Sequence, residues 1–190
     1  MPIPGTSFPL LILTMLPEHE QQPIRFDLET ITRMVTEVAL QTGGHTPTVF
    51  FESNAGLGMV HIPDFADTHA GRAQQMFSIG FTLARGGQFH TLKQIFLVSE
   101  AWLSLYPKGD PPKPLPSPSQ DPNRREVLII AGLNLASQQA DLALLEMIRS
   151  VGGDLTELRH TESSASSIAE VNSPLLTAFV LGFDAGRSRS

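Results

Sequence analysis

Two apolar runs separated by a stretch dense in proline constrain this chain more than any other feature. The first is Ile95-Phe-Leu-Val-Ser-Glu-Ala-Trp-Leu-Ser-Leu-Tyr106 and the second Arg125-Glu-Val-Leu-Ile-Ile-Ala-Gly132. Both are too short to span a membrane and rich in residues that suit a pleated surface, so they read as neighbouring central strands. Between Pro107 and Pro122 stand seven of the chain's 15 prolines. Each one locks φ and removes a backbone donor, so neither helix nor ladder continues through the segment. It is expected to be an extended, solvated loop serving as a tether or as a contact surface.

With 190 residues the chain is long enough for one domain with a full hydrophobic core. The expected division is an irregular N-terminal arm over residues 1–25, which carries Pro2, Pro4, Pro9, Pro17 and Pro23, and a single domain over 26–187 that includes the loop at 107–122. A formal net charge of −6 argues against a surface built to neutralise phosphates, so nucleic acid is not expected as a partner. There is no cysteine, which excludes disulfides, thiolate nucleophiles and cysteine-held metal centres. The apolar run Phe8 to Leu16 is short, has no basic segment before it and is followed by Pro17, Glu18 and Glu20. It fits neither a signal peptide nor a membrane span, so no membrane partner is expected and the cytoplasm is the expected address.

From Asp27 the pattern is helical, with Leu28, Ile31, Val35 and Val38 on one side and Gly43-Gly44 as the stop. Thr46 to Glu52 and Leu57 to Pro63 read as a hairpin turning at Ser53 to Gly56. A second helix is expected from about Asp67 to Gly86, with Asp64 or Asp67 as its cap, and a third over 174–186, opened by Ser173-Pro174 and closed by Gly186. Residues 137–151 can be written as a helix, with Leu144, Met147, Ile148 and Val151 at helical spacing. They can equally be written as a strand whose return runs from Asp154 to His160. The hairpin is preferred because it continues the sheet without a crossover. Thr161 to Val171, rich in serine, reads as a loop or a weak turn of helix.

The common nucleotide, hydrolase and metalloprotease signatures are absent, so candidate chemistry must come from positions brought together by the fold. Alternation along the first central strand places Phe96, Val98, Glu100, Trp102 and Tyr106 on one face. Glu100 among aromatics is a candidate general acid unless it pairs with Arg124 or Arg125. His45, Glu52, His61, Asp64, Asp67 and His69 lie in or beside the first hairpin. No metal or other cofactor is expected, but His61, Asp64 and His69 form an alternative ligand set should the strand end meet the helix start. A serine hydrolase built from Ser99, His61 and Glu100 is poor geometry, because Ser99 and Glu100 point to opposite faces. Asp121 to Glu126 forms a polar cluster where the sheet resumes. There Arg124 and Arg125, with Trp102 nearby, would clamp a small carboxylate or phosphate.

Phe96-Leu-Val-Ser-Glu-Ala-Trp102, followed by the proline-rich loop and Pro118-Ser-Gln-Asp-Pro-Asn-Arg-Arg-Glu-Val127, resembles a pattern in small uncharacterised bacterial and phage-related proteins. The likeness spans roughly Gly44 to His160. It implies an α+β fold with a meander after the loop and brings no activity with it. The expectation is therefore an α+β domain: one antiparallel twisted sheet of about five or six strands with helices packed mainly on one face. A sheet face left bare at Phe96 and Trp102 would point to a homo-oligomer or a protein partner. The leading functional expectation is a small non-enzymatic binding or protein-interaction module. The alternative is a metal-assisted or acid–base enzyme using His61, Asp64, His69 and Glu100.

Overall fold

A computed structural model describes residues 26–104, 120–168 and 173–188. It contains α1 (Leu28–Thr42), β1 (Thr48–Ser53), β2 (Gly56–His61), α2 (His69–Arg85), β3 (Leu92–Leu103), β4 (Arg125–Asn134), β5 (Gln139–Arg149), β6 (Leu155–Ser167) and α3 (Pro174–Arg187). The strands make one six-stranded antiparallel sheet in the order β2-β1-β3-β4-β5-β6, an α+β architecture. The two apolar runs pair directly, from Gln94 opposite Asn134 to Leu103 opposite Arg125. The arm at 1–25, Tyr106 and the prolines from Pro107 to Pro118 lie outside the described residues.

Strand alternation divides the core in two. Val49, Phe51, Ile95, Leu97 and Leu133 pack on one face against Met76, Ile79 and Leu83 of α2 and Leu176, Phe179 and Phe183 of α3. Phe50, Phe96, Val98, Leu128, Ile130, Leu145 and Met147 pack on the other against Ile31, Val35 and Ala39 of α1. Of the three helices among the described residues, α2 and α3 thus share a face and α1 covers the opposite one. Phe96 is fully buried beneath α1, so it contributes nothing to an exposed patch, whereas Trp102 remains 44% exposed. Each large side chain taken wholly out of water stabilises the fold by roughly 1.5–3 kcal/mol.

Local chemistry sets the helix ends. Asp27 caps α1 by accepting the Thr30 N–H at 2.8 Å, a bond that holds its carboxyl below the usual range. Gly43, at φ 79°, closes the helix in the left-handed region. The cap of α2 is Thr68, whose hydroxyl accepts the Gly71 N–H, and neither Asp64 nor Asp67 takes that role. Ser173 stands at the cap position of α3 but makes no side-chain cap bond, so Pro174 carries that start. Gly186 does not end α3. It lies within the helix, where a Cβ would strike the Phe81 carbonyl oxygen. Gly182 meets the Phe77 carbonyl in the same way. The constant offset between these two contacts means that α2 and α3 run parallel, with their backbones almost touching.

The segment 139–149 is a strand. Its helical look arises because both of its faces are apolar: Ala143, Leu145 and Met147 point to α1, while Leu142, Leu144 and Ile148 point to the other side. The return strand β6 runs on to Ser167, so the loop expected from Thr161 is absent up to that point. A backbone ladder needs no apolar side chains, and register shifts at Leu144/Leu145 and Ile148/Arg149 let the serines pair as a solvated edge.

Gly182→Ala tests the helix contact. Alanine favours a helix by about 1 kcal/mol over glycine. The added methyl here meets backbone that no rotamer change can move. We expect a net loss of about 2–3 kcal/mol in urea unfolding. Gly152→Ala meets only ordinary contacts and should change stability by less than about 0.5 kcal/mol. Equal midpoints for the two variants would show that the helices are not held this closely.

Candidate functional site

The end of α1 creates the site. After Gly43 the chain turns through Gly44, and the His45 N–H donates to Glu100 Oε1 at 2.5 Å. Gly44 permits this approach, since a Cβ there would sit 2.9 Å from the same oxygen. Thr48 pairs with Val98 of β3 and with His61 of β2, so alternation puts Thr48, His61 and Glu100 on the α1 face of the sheet, just past the point where the helix stops. Together with Val38 and Thr42 from α1 and Pro63 after β2, these residues line an open cleft of about 640 Å³.

The hydrogen bonds assign one tautomer. The buried Thr48 hydroxyl donates to the Thr46 carbonyl at 2.7 Å and lies 2.9 Å from His61 Nδ1. A hydroxyl has one proton, and the short contact to a carbonyl oxygen claims it. Thr48 Oγ1 therefore accepts from His61 Nδ1–H, and in the neutral imidazole Nε2 is left as an acceptor. His61 is exposed, whereas His45 is half-buried and its Nδ1 is buried without a hydrogen-bond partner. Burial, reinforced by nearby His61, holds the His45 pKa below the ordinary histidine value.

Arg149 braces the same corner. Its Nε and one terminal nitrogen donate to the two carboxylate oxygens of Glu126, each at 2.7 Å, and the other terminal nitrogen donates to the carbonyls of Gly43 and Gly153 at 2.9 and 3.2 Å. The Glu126 bonds keep its pKa above the usual arginine value. Arg149 thereby ties the helix end, a β4 side chain and the β5–β6 turn into one unit, with its charge already matched.

The other candidate positions disperse. Glu100 pairs with neither Arg124 nor Arg125. The Arg124 guanidinium stands 4.6 Å over the Trp102 ring, while Arg125 reaches Glu146 at 3.5 Å on the opposite face. The two arginines thus do not form a joint clamp. Asp64, exposed, uses its backbone carbonyl to accept the Gln75 side-chain amide, and His69 is an exposed residue of the first turn of α2. Among the described residues no group of three or more His, Asp or Glu side chains is placed to hold a metal ion, which counts against the set His61, Asp64 and His69. Nor is any helix among them long and apolar enough to cross a membrane.

The fold joins His61 and Glu100 to His45, Thr46, Thr48 and Val38, which the residue pattern alone did not group as a site. A signal existed for Thr48, because a hairpin turning at Ser53 to Gly56 sets it opposite His61. None existed for Val38, whose place depends on how α1 lies across the sheet. The chain matches no known protein-family model, no curated protein sequence and no solved structure.

The depressed His45 pKa gives a pH prediction with a definite sign. Below the unfolded value near 6.5 the unfolded chain takes up a proton at His45 that the folded chain resists, so stability falls as pH drops through that value towards the folded pKa. Above it both states are neutral and the contribution is constant. Urea midpoints at pH 7.5 and 5.5 should therefore drop more for the parent than for His45→Asn. Identical drops would show that this imidazole is not held neutral by the fold.

Proposed function

We propose that the protein is a small non-enzymatic binding module and that the cleft at the end of α1 is its ligand site. The observation that carries this reading is the gathering of polar groups from three separated segments, His45, His61 and Glu100, around one open cavity beside the apolar side chain of Val38. Concave sites with an apolar wall and a few convergent polar atoms are the usual places for small ligands. Arg149, Glu126 and Gly44 hold the surroundings of Glu100 rigidly, as a recognition site requires.

A second reading, an acid–base enzyme, is favoured by one observation: His61 and Glu100, named together from sequence, do share the cleft. A single experiment addresses both. Trp102, the chain's one tryptophan, lies two residues from Glu100 on the same strand face and reports the site by its emission. Small amines, carboxylates, phosphates and sugars are titrated singly against the full chain. At least one class should shift the emission saturably in the parent and bind about tenfold more weakly to His61→Ala, as expected on losing a hydrogen bond to a charged or strongly polar group. The bound compound should be recovered chemically unchanged. Recovery of a converted product would favour the enzyme, and no saturable response from any class would reject the cleft as a site.

A further inference from the structure

Thr48, His61 and Glu100 offer the cleft acceptors and no free donor, while the exposed Thr46 hydroxyl, which also lines it, can donate or accept. Thr48 gives its proton to the Thr46 carbonyl and is closed to a ligand as a donor. His61 spends its Nδ1–H on Thr48, which leaves Nε2 as an acceptor. Glu100 accepts the His45 N–H on Oε1 only, and among the described residues it makes no ion pair. Arg149, whose charge Glu100 also helps to stabilise, is occupied by Glu126 and two backbone carbonyls. His45 is held neutral, so it adds no positive charge to compete.

We infer that the cleft binds an alkylammonium group, with Glu100 and His61 Nε2 accepting its N–H bonds and Val38 and Pro63 lying against its carbon chain. An ammonium supplies three donors and one positive charge, which matches an unpaired carboxylate beside a free imidazole nitrogen. An anion would meet Glu100 with no cation among the described residues free beside it to offset the repulsion. The net charge of −6 adds a long-range attraction of the same sign preference. The inference rests on the cleft being the ligand site and narrows what enters it. Both a free amine and a lysine side chain of a protein carry this group.

The test uses the full chain and three probes of one size: n-butylammonium, 1-butanol and butyrate, titrated at constant ionic strength. The readout is the imidazole NMR signals, with those of His45 and His61 assigned by substitution. Butylammonium should move both signals saturably, and butanol and butyrate should not. Glu100→Gln keeps an oxygen able to accept the His45 N–H and should bind butylammonium at least tenfold more weakly. Should Glu100→Gln fold poorly, His61→Ala, at an exposed position, should show a loss of the same sign. Tenfold tighter binding of N-acetyl-lysine methylamide than of butylammonium would identify a protein lysine as the source, and equal or weaker binding a free amine. Saturable binding of butyrate or butanol at the cleft in place of butylammonium overturns the ammonium assignment while leaving the ligand site standing. No shift at His45 or His61 with any probe overturns both, and so does undiminished butylammonium binding by Glu100→Gln and His61→Ala together.

Discussion

Burial of β3 on both faces is the constraint from which the rest of this structure follows. Ile95, Phe96, Leu97 and Val98 are all withdrawn from water, two towards each side, so the sheet needs a cover above and below at this level. One α-helix is wide enough to cover about two strands, since strands lie about 4.8 Å apart and helices about 10 Å across. The chain answers with α1 on one face and a close parallel pair, α2 and α3, on the other. The glycines that let this pair approach, Gly80, Gly182 and Gly186, are thus part of the same demand as the phenylalanines beneath them.

Covers of finite length leave ends, and the candidate site occupies one. Helix α1 stops at Gly43 while β3 continues to Leu103, so Glu100 and Trp102 emerge beyond the roof on the face that buries Phe96 and Val98. The two side chains are treated differently there. Trp102 is shielded by the Arg124 guanidinium, a contact worth about 0.5–1 kcal/mol at an exposed position. Glu100 gets a backbone N–H and, among the described residues, no cation. The chain holds a suitable cation close by in Arg149 but commits it to Glu126 and the end of α1. Glu100 thus holds the chain after α1 through one oxygen and, among the described residues, leaves the other without an ion pair at the mouth of the cleft.

Much of this was legible in the residues, for reasons that can be located. The central pair stood out because continuous apolar runs interrupted by prolines admit few alternatives. The first hairpin and α1 announced themselves through Ser53 to Gly56, Asp27 and Gly43-Gly44, all local signals. The length of β6 was hidden because its serines make an edge ladder without the alternation that marks a half-buried strand. Gly186 misled as a stop because a glycine required for helix contact and one required for a left-handed turn look alike in sequence. The site was half visible. Glu100 and His61 could be named by residue type and face, but their union with His45 depends on the entry angle of α1. Arg149 sets that angle across 106 residues of chain.

Under the proposed reading the proton connections within the cleft suit the holding of a ligand. In acid–base centres the imidazole is commonly backed by a carboxylate that stabilises its charged form. Behind His61 stands Thr48, whose hydroxyl ends on a backbone carbonyl, a neutral acceptor with no charge to offer an imidazolium. Glu100, a carboxylate of the same cleft, is turned instead to the His45 N–H and held there by the space over Gly44. His45, half-buried and with its pKa held down, has among the described residues no partner on its buried Nδ1 through which to pass a proton. Three groups capable of proton transfer are thus each tied to a fixed neighbour or isolated from one another, and on the proposed reading their remaining lone pairs are what a ligand meets.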